Sequence, residues 1–280
     1  MKTIHVKEIS ENVAALCLSA NTLIREDIRR RLAAGLAAED APLPRGVLKT
    51  LLQNADIAGE EQIPICQDTG MAVVFADVGQ DVRITGGSLA RAIQDGVAMG
   101  YLGGHLRASV VRDPVDRRNT GDNTPAVIHY DIVPGERLTL TVAPKGFGSE
   151  NMSALKMLTP ADGLAGIERF VLDTVRAAGP NPCPPIVVGV GIGGTMEKAA
   201  LLAKRALTRE LDTPHDDPFW AEEEGRLLQA INELRIGPAG LGGRTTALGV
   251  RVEVYPTHIA GLPVAVNIGC HVTRHAGVTL

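Results

Sequence analysis

The sequence predicts an α/β fold, one domain over residues 1–280 with a helical N-terminal layer and a mixed β-sheet core. Three observations predict it. Apolar residues recur at helical spacing across 10–38 (Val13, Leu16, Cys17, Ala20, Leu23, Ile24 and Ile28), with charges such as Arg25 and Glu26 between them. Short apolar or alternating runs, such as Ala72-Val73-Val74-Phe75-Ala76 and Val250-Arg251-Val252-Glu253-Val254, read as strands. Composition is 45% hydrophobic but only 3% aromatic, with 31 glycines, which implies a core of small aliphatic side chains and closely approaching backbone.

The remaining elements follow in order. Pro42 and Pro44 punctuate the chain, and a second helix is expected over 45–58. After a loop around Cys66, residues 71–82 turn strand-like, and Ser88 caps a helix reaching about Met99. Residues 127–130 and 137–142 alternate as strands on either side of Pro134-Gly135. A helix over 165–178, a buried strand over 186–190 and helices over 195–211 and 220–234 come next. Strands over 250–255 and 264–267 close the series, the second leading into Cys270. There is no repeat, low-complexity tract or long linker.

Bulk properties exclude several classes. A net charge of -4 argues against a nucleic-acid surface, and Arg29-Arg30-Arg31 reads as the solvated face of a helix. No apolar run approaches the ~20 residues that span a bilayer, and the first residues lack a signal-peptide core. A cytoplasmic protein without a membrane partner is therefore expected. Its four cysteines then read as thiols or metal ligands rather than disulfides.

Three of those cysteines have turn-forming neighbours: Cys66-Gln67-Asp68-Thr69-Gly70, Asn181-Pro182-Cys183-Pro184-Pro185 and Asn267-Ile268-Gly269-Cys270-His271. Three thiolates on three loops can hold three corners of a cubane iron–sulfur cluster, leaving one iron open as a Lewis acid. A three-cysteine zinc site is the inorganic alternative. Cys17, inside the apolar helical stretch, reads as an ordinary buried residue. The polar run from Arg112 to Pro125 reads as an exposed connection or as part of a site. Lys145-Gly146-Phe147-Gly148-Ser149-Glu150-Asn151 reads as a glycine turn whose N–H groups can bind a carboxylate. Gly189-Val190-Gly191-Ile192-Gly193-Gly194 satisfies the dinucleotide fingerprint between a strand and a helix. Its acid partner fails, because Glu210 and Asp212 end a helix rather than a strand. A nucleotide-dependent oxidoreductase through Gly189–Gly194 is thus the rival from another class, and a non-catalytic or zinc-bound subunit is the third.

The Cys66–Gly70 run, Asn119-Thr120-Gly121-Asp122-Asn123-Thr124-Pro125, the Lys145–Asn151 loop, Gly189 to Thr195 and Pro256-Thr257-His258 resemble the class I, iron–sulfur-dependent fumarate hydratases. The resemblance covers nearly the whole chain. It is to their N-terminal domain, the alpha subunit of two-subunit members, a family shared with L-tartrate dehydratase alpha subunits. It implies a [4Fe-4S] cluster held on loops by Cys66, Cys183 and Cys270, and reversible hydration of fumarate to L-malate. L-tartrate to oxaloacetate is the alternative within the family. It also implies Asp68 and His258 as catalytic groups, with Gln67, Arg107 and Gly146 binding the dicarboxylate substrate. Single-chain relatives carry a further domain, so a separate beta subunit and a dimer of alpha–beta pairs are expected. The isolated chain should then be weakly active or inactive, and the open iron should make the enzyme oxygen-sensitive.

Overall fold

The computed structural model describes residues 2–280, and the mixed α/β class is borne out. Two compact units interleave along the chain. The first comprises the segment ending at Ile24, Ala55–Phe147 and Arg274–Leu280, and the second Arg25–Asn54 and Gly148–Thr273.

In the first unit, β2 (Met71–Gly79) pairs in parallel with β4 (Val127–Val133) and antiparallel with β5 (Leu138–Lys145). β10 (Ala276–Thr279) adds to β5, giving the order β10-β5-β2-β4. A separate parallel pair joins β1 (Lys2–His5) to β3 (Val82–Thr85). Helices α1 (Val6–Thr22) and α4 (Leu89–Gly103) pack together, burying Ile9, Val13, Cys17, Ile93 and Val97 with Val74, Leu140 and Val142 of the sheet. As expected, Ser88 caps α4, its Oγ accepting from Arg91 N at 3.5 Å.

The helix expected over 10–38 is two. The Asn21 carbonyl, which a continuing helix would offer to Arg25, accepts from Ile65 N at 2.9 Å. Thr22 Oγ1 donates back to the Leu18 carbonyl at 3.0 Å, a local bond that competes with helix continuation. The chain resumes as α2 (Glu26–Ala38), so the N-terminal helices divide between the units. α3 (Pro42–Glu61) starts earlier than expected because prolines fit the first helical turn, where an N–H has no partner to lose.

In the second unit the sheet order is β6-β9-β7-β8, made of β6 (Ala154–Leu158), β7 (Ile186–Gly193), β8 (Ala247–Tyr255) and β9 (Leu262–Gly269). β7 runs parallel to β8 and antiparallel to β9. The four-residue α5 (Phe147–Glu150) precedes β6. α6 (Gly163–Ala178) and α8 (Pro218–Glu233) bury Val171, Val175, Leu227 and Ile231 with this sheet. α7 (Met196–Ala206) ends short of the expected 211. The N–H groups of Thr208 and Arg209 reach back only three residues, and Leu211 N turns to Asp27 Oδ2 at 2.7 Å. Among the described residues no helix is long and apolar enough to cross a membrane.

The structure reassigns the glycine motif. The first two motif glycines, Gly189 and Gly191, lie inside β7 rather than in a turn after it, and only Gly194 follows the strand's end. A Cβ at Gly189 would sit 2.2 Å from the Ala203 carbonyl oxygen, and one at Gly191 2.1 Å from that of Ala199. These glycines let the α7 backbone lie against the strand, whereas a dinucleotide site needs them where a pyrophosphate can approach. Asp212 is taken up by Arg30 and Arg31. Gly191→Val should therefore cost about 1–3 kcal/mol through overpacking, or several degrees in the thermal midpoint at about 2–4 °C per kcal/mol. A melt followed by circular dichroism checks this; an unchanged midpoint would refute the packing role.

Candidate functional site

Asp68 is the junction around which the first unit's site residues assemble. Its Oδ1 accepts from Gly70 N at 3.0 Å, closing a local turn, and its Oδ2 accepts from Phe147 N at 3.0 Å. The glycine loop does present an N–H to a carboxylate, as the sequence suggested, and that carboxylate belongs to the protein. A Cβ at Gly146 would stand 3.1 Å from Asp68 Oδ2, close enough that the carboxylate would have to shift by a few tenths of an ångström. The Asp68 carbonyl accepts from the Arg274 guanidinium.

The rest of the Cys66–Gly70 loop is fixed by main-chain anchors. Thr69, buried, donates through Oγ1 to the Arg107 carbonyl at 3.0 Å. The buried Tyr101 hydroxyl lies 2.8 Å from the Thr69 carbonyl and 3.1 Å from that of Gly70, and burial raises its pKa above the ordinary phenol value. Asn123 Nδ2 donates to the Gly70 carbonyl at 3.0 Å while its Oδ1 accepts from Ser109 N at 2.7 Å. So the polar 112–125 run is only partly an exposed connection: Asn123 is completely buried and holds the loop. Cys66, Gln67, Asp68, Arg107 and Gly146 are thereby brought together within one unit. Gln67 and the Arg107 side chain stand at the surface, and Cys66 is half-buried.

The second unit holds the other predicted residues. Cys183 is exposed and adopts a left-handed φ of 55°. Its carbonyl accepts from His271 N at 3.4 Å and lies 3.1 Å from His271 Nδ1, which places a proton on Nδ1. That contact pins the Cys183 loop to the half-buried Cys270. Cys270 also has its carbonyl bound by Thr273 N and Oγ1 at 2.9 and 2.6 Å. Glu150 pairs with Lys204 and accepts from Asn267 Nδ2 at 2.9 Å, tying the end of the glycine loop to the strand that leads into Cys270. His258 is exposed after β8, and its Nδ1 accepts from Ala260 N at 3.2 Å. A neutral His258 thus presents Nε2–H outward. Thr257 Oγ1 donates to the Gly194 carbonyl at 2.9 Å, holding this loop at the end of β7.

The donor chemistry fits an iron–sulfur group. Cys66, Cys183 and Cys270 are on loops, outside any disulfide and each with some exposure, and soft thiolates are the usual ligands of such clusters. Cys17 is fully buried, and burial pushes its thiol up to about 12, so it is inert as the sequence indicated. Among the described residues, neither unit by itself gathers three His, Cys, Asp or Glu side chains able to hold a metal ion. The three cysteines are divided, Cys66 in the first unit and the other two in the second. Sequence reasoning did not find Arg274, Tyr101 or His271. Their role is read from long-range contacts to main-chain carbonyls, which leave no local pattern.

Comparison with known proteins gives the family of the chain. A family model described as fumarate hydratase (Fumerase) matches residues 10–279. A Methanocaldococcus jannaschii protein provisionally named L(+)-tartrate dehydratase subunit alpha is 42% identical over 275 residues, covering 96% of each chain. L(+)-tartrate dehydratase subunit alpha of Escherichia coli is 32% identical over 273 residues, 96% of this chain and 89% of the relative. The Shigella sonnei protein of the same name gives the same figures. A family match across almost the whole chain, together with relatives of this identity, establishes that the chain belongs to the fumarate hydratase (Fumerase) family of hydro-lyases.

Proposed function

We propose that this chain is the alpha subunit of an iron–sulfur hydro-lyase that reversibly adds water to fumarate to give L-malate. The carrying observation is the Asp68 junction, which fixes a carboxylate in the loop that carries the half-buried Cys66 thiol and the Gln67 amide, anchored to the Arg107 segment. Cys66, Cys183 and Cys270 would hold a [4Fe-4S] cluster, whose iron without a cysteine ligand supplies Lewis acidity toward a hydroxyl and its neighbouring carboxylate.

The protein's own groups then handle position and protons. In the dehydration direction a C–H bond next to a carboxylate breaks, the electron pair forms the C=C bond, and the C–O bond of the hydroxyl breaks. Asp68 is the group assigned to take the C–H proton; each of its oxygens keeps a second lone pair beyond the main-chain bond it accepts. Its two anchors fix the direction from which it approaches. Arg107 holds a substrate carboxylate through its planar fork. Gln67 orients the substrate beside Cys66, and Gly146 leaves the space a side chain would fill. His258, through Nε2–H, donates a hydrogen bond to the leaving oxygen.

A second reading, L-tartrate to oxaloacetate, is favoured by the names of the relatives. Those names also support a separate beta subunit; the dimer of alpha–beta pairs is part of the same proposal. The test is anaerobic purification of the chain with and without its partner, followed by turnover of malate and of tartrate. The ratio of the two kcat/KM values decides the substrate. The cluster-loaded chain alone is expected to show weak or no activity, and full turnover without a partner would sink the two-subunit reading. Saturable heat on NAD(P) titration would instead revive the oxidoreductase.

A further inference from the structure

Among the described residues, four buried side-chain atoms have no hydrogen-bond partner: Asn21 Oδ1, Glu223 Oε2, Asn267 Oδ1 and Arg274 Nη1. Asn21 and Asn267 are neutral, and Glu223 is paired with Arg226 at 2.6 Å. Arg274 is the one charge of the four without a partner of opposite sign, and it is only 7% exposed. Its Nη2 donates to the Asp68 carbonyl. The Asp68 carboxylate does not pair with it, because its two oxygens are turned to Gly70 N and Phe147 N.

A guanidinium removed from water without a counter-ion is costly, and a neutral donor would reach the same carbonyl without that cost. The position therefore calls for positive charge as well as for a hydrogen bond. Arg274 follows Cys270 by four residues, and the carbonyl it holds lies two residues after Cys66. The chain ties it to one thiol-bearing loop and the hydrogen bond ties it to another. Its field also reaches the Tyr101 hydroxyl that holds Thr69 and Gly70. Burial raises that phenol most, Cys17 adds to the rise, and Arg274 opposes both.

We propose that Arg274 is a positioning residue with two tasks: Nη2 fixes the main chain of Asp68, and Nη1 with its charge is kept for the negative charge of the thiolate-bound cluster. The inference rests on the cluster reading of Cys66, Cys183 and Cys270 and adds a residue to it. Three thiolates concentrate negative charge, and the net charge and hydrogen bonds around a cluster set its reduction potential. Outer hydrogen-bond partners also set how firmly a metal group is held. A guanidinium suits both tasks because its N–H groups form a planar fork with fixed, separate directions. Glutamine offers one NH₂ group without the charge, and lysine keeps the charge without the fork.

The test is a potentiometric titration of the anaerobically reconstituted full chain, read by electron paramagnetic resonance, with iron loss to a chelator timed alongside. Arg274→Gln keeps an N–H for the Asp68 carbonyl and removes the charge. Its potential is expected to move to a more negative value, since a cation no longer favours the added electron. Its iron should leave about 10–100-fold more readily, the usual effect of losing an outer hydrogen-bond partner. Arg274→Lys, which keeps the charge, should restore most of both. Melts of the apo chain confirm that the variants fold; a purely structural Arg274 would move the melt and leave the potential in place. A loaded Arg274→Gln chain with wild-type potential and iron retention would overturn the proposal. So would a lysine variant no closer to the wild type than the glutamine one. A wild type holding neither iron nor sulfide would overturn it together with the cluster reading, so the metal count tells the two failures apart.

Discussion

Asp68→Ala is expected to lower kcat by about 10²–10⁴-fold on whichever hydroxydicarboxylate the wild-type enzyme takes, the usual contribution of a positioned general acid or base. The effect should fall on kcat more than on KM, because Arg107 and Gln67 remain to bind substrate. Asp68 also anchors Gly70 N and Phe147 N, so loss of the carboxylate frees two main-chain donors as well as a proton acceptor. Asp68→Asn separates the two roles. The amide oxygen can keep one N–H bond, but its NH₂ group cannot accept from the second. If Asp68 only orients the loop, the asparagine variant should recover much of the activity lost in the alanine variant. If it moves the proton, both variants should stay inactive. Iron and sulfide counts on each variant ensure that lost activity is not lost cofactor. A cluster-loaded Asp68→Ala enzyme with wild-type kcat would remove Asp68 from the chemistry.

Serine at Cys66, Cys183 or Cys270 is expected to abolish cluster loading, with the same change at Cys17 leaving it intact. The anaerobically reconstituted wild type should contain about four irons and four sulfides. Serine conserves size but replaces a soft thiolate with a hydroxyl of much higher pKa, so each substitution removes a ligand without opening a large cavity. Alkylation offers a second readout that needs no metal. In the apo chain the three loop thiols should react, whereas Cys17 should not, being fully buried with its thiol pushed up to about 12. Cluster content unaffected by any of the three substitutions, or zinc bound stoichiometrically instead, would overturn the cofactor assignment.

Local chemistry makes part of this protein legible from its residues alone. The strand-like run at 71–82, the alternation at 250–255 and the capping serine at 88 each carry their signal within a few residues, and each element appears, the first ending at Gly79 before a turn into β3. The loop placement of Cys66, Cys183 and Cys270 follows from flanking Gly, Pro and Asn, and it too is readable. Strands β1 and β10 are not readable, being four residues long and defined by partners 80 to 140 positions away, as in Lys2↔Val82 and Ala276↔Val142. The break between α1 and α2 is hidden for the same reason, because the carbonyl that ends α1 is taken by Ile65.

The sequence by itself determined the element types, the isolation of Cys17 and, through family resemblance, the set of candidate residues. Only the tertiary structure decided what three of its motifs are for. It turned the G-x-G-x-x-G run from a turn into a strand packed on a helix, since a glycine's use depends on what lies where its Cβ would be. It made Asp68 a junction by supplying Gly146, Phe147 and Arg274 from distant segments. It also buried the Arg274 charge against a carbonyl 206 positions away, a placement that no residue near it encodes. Periodicity and turn chemistry act over a few residues, while burial, main-chain pairing and exposed edges are settled by chain segments that meet only on folding.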